Sequence, residues 1–200
     1  FGLAGRIVAE SDATVWICEL GASWLTDTGA MWAGRMAYYQ RDLLPALGLP
    51  PATNELILGG LRGLATHADP VPAGRVVTFR PDGVLRMGGA AWQVIHTPGH
   101  ADAQTVVYQP ETRRLLSADM LLAVTPAPVI DHPPPGERRE PALPDFIRSL
   151  DALEALDIDT VYPGHGRPFG DHRAVIARQR ERIAGRKGQC LEFIRAGQTT

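Results

Sequence analysis

VIHTPGHADAQTVVYQPETRRLLSADMLL, residues Val94 to Leu122, places two histidines, His96 and His100, at the end of one apolar run. A lone aspartate, Asp119, ends a second apolar run. Pro98 and Gly99 break the chain between the histidines. Imidazole nitrogens and a carboxylate oxygen, presented by turns at strand ends, are the donor mix that borderline divalent cations favour. An unpaired carboxylate at the end of a buried strand is costly, so Asp119 calls for a partner. A third stretch, VYPGHG, ends a further apolar run and presents His165 in the same way.

Outward from these turns the chain has a mixed pattern. FGLAGRIVAES reads as a short helix with Leu3, Ile7 and Val8 on one face, and ATVWIC as a short buried strand, Val15 to Cys18. Residues 21–68 carry helical patterns broken by GLPP and by Gly59, Gly60 and Gly63. From residue 75 the period changes: RVVTF, VLRM, AWQVIH, QTVVYQ and RRLLSA, separated by turn signals, predict a five-stranded antiparallel meander. DHPPPGERREP, residues 131–141, is a Pro-rich polar loop. LPDFIRSLDALEALD predicts a helix with Pro144 in its first turn and Phe146, Ile147, Leu150, Leu153 and Leu156 as its apolar stripe. After the strand leading to His165, Asp171 caps a last long helix to about Ala196. The fold class expected is α/β (α+β), sheets covered by helices, in one domain over residues 1–200.

Composition removes several classes of function. The chain has 200 residues, 44% of them hydrophobic, enough for a sizeable core. A net charge of -2 gives no global attraction to nucleic acid or anionic membrane. No apolar run is long enough to cross a bilayer, and residues 1–20 lack a secretory pattern. Cys18 and Cys190 form no disulfide framework, so a cytoplasmic setting is expected. One basic feature stands out: Arg178, Arg182 and Arg186 are spaced to share a helical face, where they can meet nucleic-acid phosphates or, more commonly, water. Trp32, Tyr38 and Tyr39, with Met36, are candidate apolar walls for a substrate, and His132 in the Pro-rich loop a candidate substrate contact. His96 is a candidate for holding the His100 turn by hydrogen bonding. His67 and His172 carry no signal.

The three turns together, Thr97-Pro98-Gly99-His100, Ala118-Asp119 and Gly164-His165, resemble the metallo-β-lactamase superfamily. The finer spacing is similar to the branch of β-lactamase-like protein 2 hydrolases. The resemblance implies an αββα sandwich. It implies His100 as a ligand of a first zinc, His165 as a ligand of a second, and Asp119 as the bridge between them and a member of the catalytic centre. Iron or manganese are alternatives to zinc. The family's Gly before the bridging Asp is Ala118 here, a small change expected to fit. The family's His-x-His-x-Asp-His motif is absent from these residues, and Phe1–Gly5 resembles its continuation, so the chain is expected to begin just after the motif. An N-terminally incomplete sandwich follows, with the helix of residues 171–200 leading towards a winged-helix domain in similar hydrolases.

The activity implied for the intact parent is hydrolysis of a small ester, thioester or lactone by hydroxide that two cations generate from a shared water. The 200 residues alone are expected to be inactive. Rival readings are a nuclease on the same scaffold, a mononuclear iron sulfur dioxygenase, and a non-catalytic module. Oligomeric state is left open.

Overall fold

A computed structural model describes residues 2–129 and 142–197. His132 and the Pro-rich loop lie outside the described residues. Two compact units emerge, one from the chain up to Phe79 and one from Arg80 onward. No linker marks their junction in the sequence.

The first unit holds the helical part. α1 (Ala4–Ala9) is followed by β1 (Val15–Cys18), α2 (Ala22–Thr26) and α3 (Thr28–Tyr38). A π-helical turn at Tyr39–Leu43 carries α3 into α4 (Leu44–Leu47), and α5 (Pro51–Ala65) follows. β2 (Val76–Phe79) then pairs in parallel with β1, Val15 opposite Val76. The segment RVVTF is therefore not part of the meander. Its partner is an early strand, because the intervening helices bring the chain back in the same direction. The expected glycine breaks also differ: α5 runs straight through Gly59, Gly60 and Gly63. A helical glycine costs about 1 kcal/mol relative to alanine, which Pro51 at the first turn and a buried Leu58 offset. Of the face expected on α1, only Val8 is buried, while Leu3 and Ile7 are exposed. Val8 packs with Leu25 and Val71 in a small core that includes Val15 and Val76 at its margin. The Arg75 guanidinium donates to the carbonyls of Ser11 and Ala13, both at 2.7 Å.

The second unit is a five-stranded sheet in the order β3 (Val84–Met87), β4 (Ala90–His96), β5 (Thr105–Gln109), β6 (Arg114–Ala118) and β7 (Thr160–Pro163). β3 to β6 form an antiparallel meander. β7 is parallel to β6, and the required crossover carries α6 (Ala142–Glu154). α7 (His172–Arg195) closes the unit; the Asp171 carboxylate caps it by accepting the Ala174 N–H at 2.9 Å. Apolar residues alternate along β5 and β6, so Val106, Leu115 and, on β7, Val161 face the helices. Phe146, Leu150 and Leu153 of α6 and Val175 and Ile176 of α7 complete that core. The Tyr108 hydroxyl donates to the Asp157 carbonyl at 2.7 Å, closing the far end of the sheet.

Candidate metal centre

Sheet order sets the site. β4, β6 and β7 end at the same edge, because β4 runs antiparallel to β5 and β5 antiparallel to β6, while β7 runs parallel to β6. The turns after these three strands carry His100, Asp119 and His165.

The His100 turn is held from several directions. Thr97, fully buried, donates its N–H to the Gln104 carbonyl at 2.8 Å. The Ser149 hydroxyl on α6 donates to the Pro98 carbonyl at 2.9 Å. Gly99 has φ +134 and sits so close to α6 that a Cβ would lie 2.6 Å from Phe146 Cα. His96 Nε2 donates to the Asp102 carbonyl at 2.7 Å, so its ring braces the loop. His100 Nδ1 lies 2.8 Å from the Pro128 carbonyl. A carbonyl only accepts, so Nδ1 carries the proton and the Nε2 lone pair is left for a Lewis acid.

Asp119 is partly buried at the end of β6, where the pairing slips between Leu116 and Ala118. The slip puts Ala118 at φ +44. The substitution of Ala for the family's Gly therefore does not fit without cost, because a Cβ in the left-handed region crowds its own backbone. The Ala118 carbonyl accepts the Gly164 N–H at 2.7 Å and ties the Asp119 turn to the His165 turn. Gly164 is needed there: a Cβ would fall well inside contact distance of Asp119 Oδ1 and 3.1 Å from the Ala118 carbonyl carbon. The Gly164-His165 turn is marked in the sequence by its Pro-Gly-His order, but the closeness of Gly164 to Asp119 is not.

The Asp119 carboxylate lies between the two imidazoles. His100 Nε2 is 3.5 Å from Oδ2, and His165 Nε2 is 3.6 Å from Oδ1. Both separations exceed an ordinary hydrogen bond. Two ligand atoms that share a tetrahedral cation at about 2.0–2.1 Å stand about 3.3 Å apart, so the donor set suits a cation beside each oxygen. Each such position has one imidazole and one carboxylate oxygen. Among the described residues no three His, Cys, Asp or Glu side chains converge on one ion. The side chain of His100 is 21% exposed and that of His165 78%.

The other candidates are placed as follows. Trp32 stacks edge-on against Trp24 at 5.9 Å, with the Arg35 guanidinium over both rings. Tyr38 is buried, and its ring meets Tyr39 edge-on. All three candidate wall residues belong to the first unit, and the three candidate ligands to the second. Arg178 donates to the Ala123 carbonyl at 3.4 Å, whereas Arg182 and Arg186 are exposed on α7. His67 accepts a local role the sequence did not suggest: its ring bonds the Gly63 carbonyl at 2.7 Å. His172 is buried at the start of α7, and its burial, followed by the Arg173 charge, holds it below the ordinary 6.5. No helix among the described residues is long and apolar enough to cross a membrane.

Comparison with known proteins bears on this arrangement. The family model described as "Metallo-beta-lactamase superfamily" matches residues 1–165. A probable metallo-hydrolase of Bacillus subtilis, YqjP, is 33% identical over 144 residues, 71% of this chain and 43% of that protein. A linear primary-alkylsulfatase of a Pseudomonas species is 30% identical over 128 residues, 61% of this chain and 23% of that protein. The chain thus spans less than half the length of both relatives. Among solved structures, a metallo-beta-lactamase family protein of Thermus thermophilus, TTHA1429, superposes with TM-score 0.71 at 26% identity, covering 93% of this chain and 57% of that one. A beta-lactamase domain protein of Burkholderia ambifaria superposes with TM-score 0.70 at 23% identity, covering 98% and 55%. The mixed helix-and-sheet fold expected from the three turns is the fold shared with these structures.

Proposed function

Because the chain belongs to the metallo-β-lactamase superfamily, we propose that it belongs to the catalytic domain of a metal-dependent hydrolase of small ester, thioester or lactone substrates. The observation that carries the reading is the Asp119 carboxylate lying between His100 Nε2 and His165 Nε2, one oxygen towards each ring. A pair of divalent cations, zinc before iron or manganese, would be held with His100 and Asp119 at one position and His165 and Asp119 at the other. Such cations supply Lewis acidity and make water nucleophilic near neutral pH.

The chain's own residues do the positioning. The Pro128 carbonyl holds His100 in the tautomer whose Nε2 can ligate. The Ala118–Gly164 hydrogen bond sets the distance between the Asp119 and His165 turns. His96 and Ser149 brace the loop that bears His100. Each ion needs further ligands beyond one imidazole and one carboxylate oxygen, so these 200 residues by themselves are expected to be inactive.

The test is metal content. The longer protein, with the residues its reading frame encodes on either side, is purified and analysed by elemental methods beside the 200-residue chain. About two zinc ions in the former and almost none in the latter support the proposal. Iron in the longer protein would favour the dioxygenase alternative, and no metal in either would end the hydrolase reading.

A further inference from the structure

A shallow pocket of about 120 Å³ adjoins His165. Its lining includes Leu122 and Val124 from the segment after Asp119, and Gly166 and Arg167 from the turn after His165. The turn is pinned at its base: Val161 and Phe169 exchange two backbone hydrogen bonds, at 2.8 and 3.0 Å. Gly166 takes the positive φ of +95 that the turn requires, and Pro168 restricts the backbone beside Arg167. The opposite wall is anchored by Arg178, which donates to the Ala123 carbonyl at 3.4 Å. Val124 is 93% exposed, an apolar side chain left at the rim.

Arg167 is itself exposed, and no ion pair or hydrogen bond of its side chain forms among the described residues. Arg113 and Arg180 of the same unit, by contrast, each meet two carboxylates. A guanidinium stays charged at every relevant pH and matches an oxyanion with two parallel N–H groups. Here one is displayed on a restrained turn, two residues from a candidate ligand, at a pocket with an aliphatic lining.

Resting on the hydrolase reading above, we infer that Arg167 determines specificity by selecting substrates that carry an anionic group, a carboxylate or a sulfate, with an apolar portion against Leu122 and Val124. The oxyanion is bound by the guanidinium and is distinct from the group undergoing hydrolysis. Neutral esters of the same length lose that contact.

The experiment uses the longer protein loaded with zinc. It compares kcat/KM for mono-p-nitrophenyl glutarate with kcat/KM for p-nitrophenyl pentanoate. Arg167→Ala is expected to lower the ratio of the two about tenfold, chiefly through KM, and Arg167→Lys to restore part of it. An unchanged ratio overturns the inference. If the wild type turns over neither ester, the ester branch of the hydrolase reading fails on its own, and calorimetric titration decides the Arg167 inference. Glutarate or butyl sulfate binding about tenfold more weakly to Arg167→Ala supports the oxyanion subsite, and whichever probe responds identifies the headgroup. Equal affinities of both variants for both probes overturn it.

Discussion

Replacing Gly164 by alanine tests the proposed metal centre at its tightest point. The new Cβ would press on Asp119 Oδ1 and stand 3.1 Å from the Ala118 carbonyl carbon and 3.3 Å from its oxygen. Both neighbours are short and local, so neither can swing away as a long side chain does. To regain ordinary contact the carboxylate must retreat by about 1 Å. A displacement of that size at a reacting centre costs about 100-fold in turnover. Overpacking of this kind also destabilises by about 1–3 kcal/mol. The assay is hydrolysis by the longer protein with zinc, together with bound zinc per chain and a urea unfolding curve. Ile176→Val serves as the comparison: Ile176 is fully buried on α7, and its truncation costs about 1 kcal/mol. Gly164→Ala is expected to stay folded, hold less zinc and turn over about 100-fold more slowly, while Ile176→Val keeps its turnover. Undiminished zinc and turnover in folded Gly164→Ala would refute the placing of Asp119 between the two ions.

Two further outcomes concern stability. Ala118 at φ +44 carries left-handed strain of about 1–2 kcal/mol, of which glycine's greater freedom in the unfolded chain takes back roughly 0.5–1 kcal/mol. Ala118→Gly should therefore raise stability by about 0.5–1 kcal/mol in urea unfolding, and a lower midpoint would mean that the turn accommodates the methyl group without strain. His172 is held below its ordinary 6.5 by burial, so the folded state disfavours its protonation. The unfolded chain then binds the proton first, and the neutral-His172 contribution is full above pH 6.5 and lost as the pH falls from there towards the folded value. Wild type should lose more stability than His172→Gln between pH 7.5 and 5.5, and parallel losses would show that His172 titrates as it does in the unfolded chain.

Local signals read well where one periodicity ran unbroken between clear stops. VLRM through RRLLSA became β3 to β6, and Asp171 capped α7 as its residue type suggested. The glycines of α5 misled, because a breaker acts through a cost of about 1 kcal/mol that the rest of a 15-residue helix can outweigh. RVVTF has the alternation of a strand, and that pattern does not encode which strand lies beside it. Its pairing with Val15–Cys18 depends on the return of the chain through α2 to α5.

The same division runs through the candidate centre. Residue type and the position of each turn marked His100, Asp119 and His165 as candidate ligands, since the chemistry of imidazole and carboxylate belongs to the side chain and needs no neighbours to be read. Their juxtaposition was settled by strand order, which brought the ends of β4, β6 and β7 to one edge of the sheet. The tautomer of His100, the strain at Ala118, the closeness of Gly164 to Asp119 and the restraint of Arg167 were likewise decided only there. The first three depend on a partner at least 28 residues away in the chain or on a local slip in pairing, and distances of a few tenths of an ångström between such groups arise from packing.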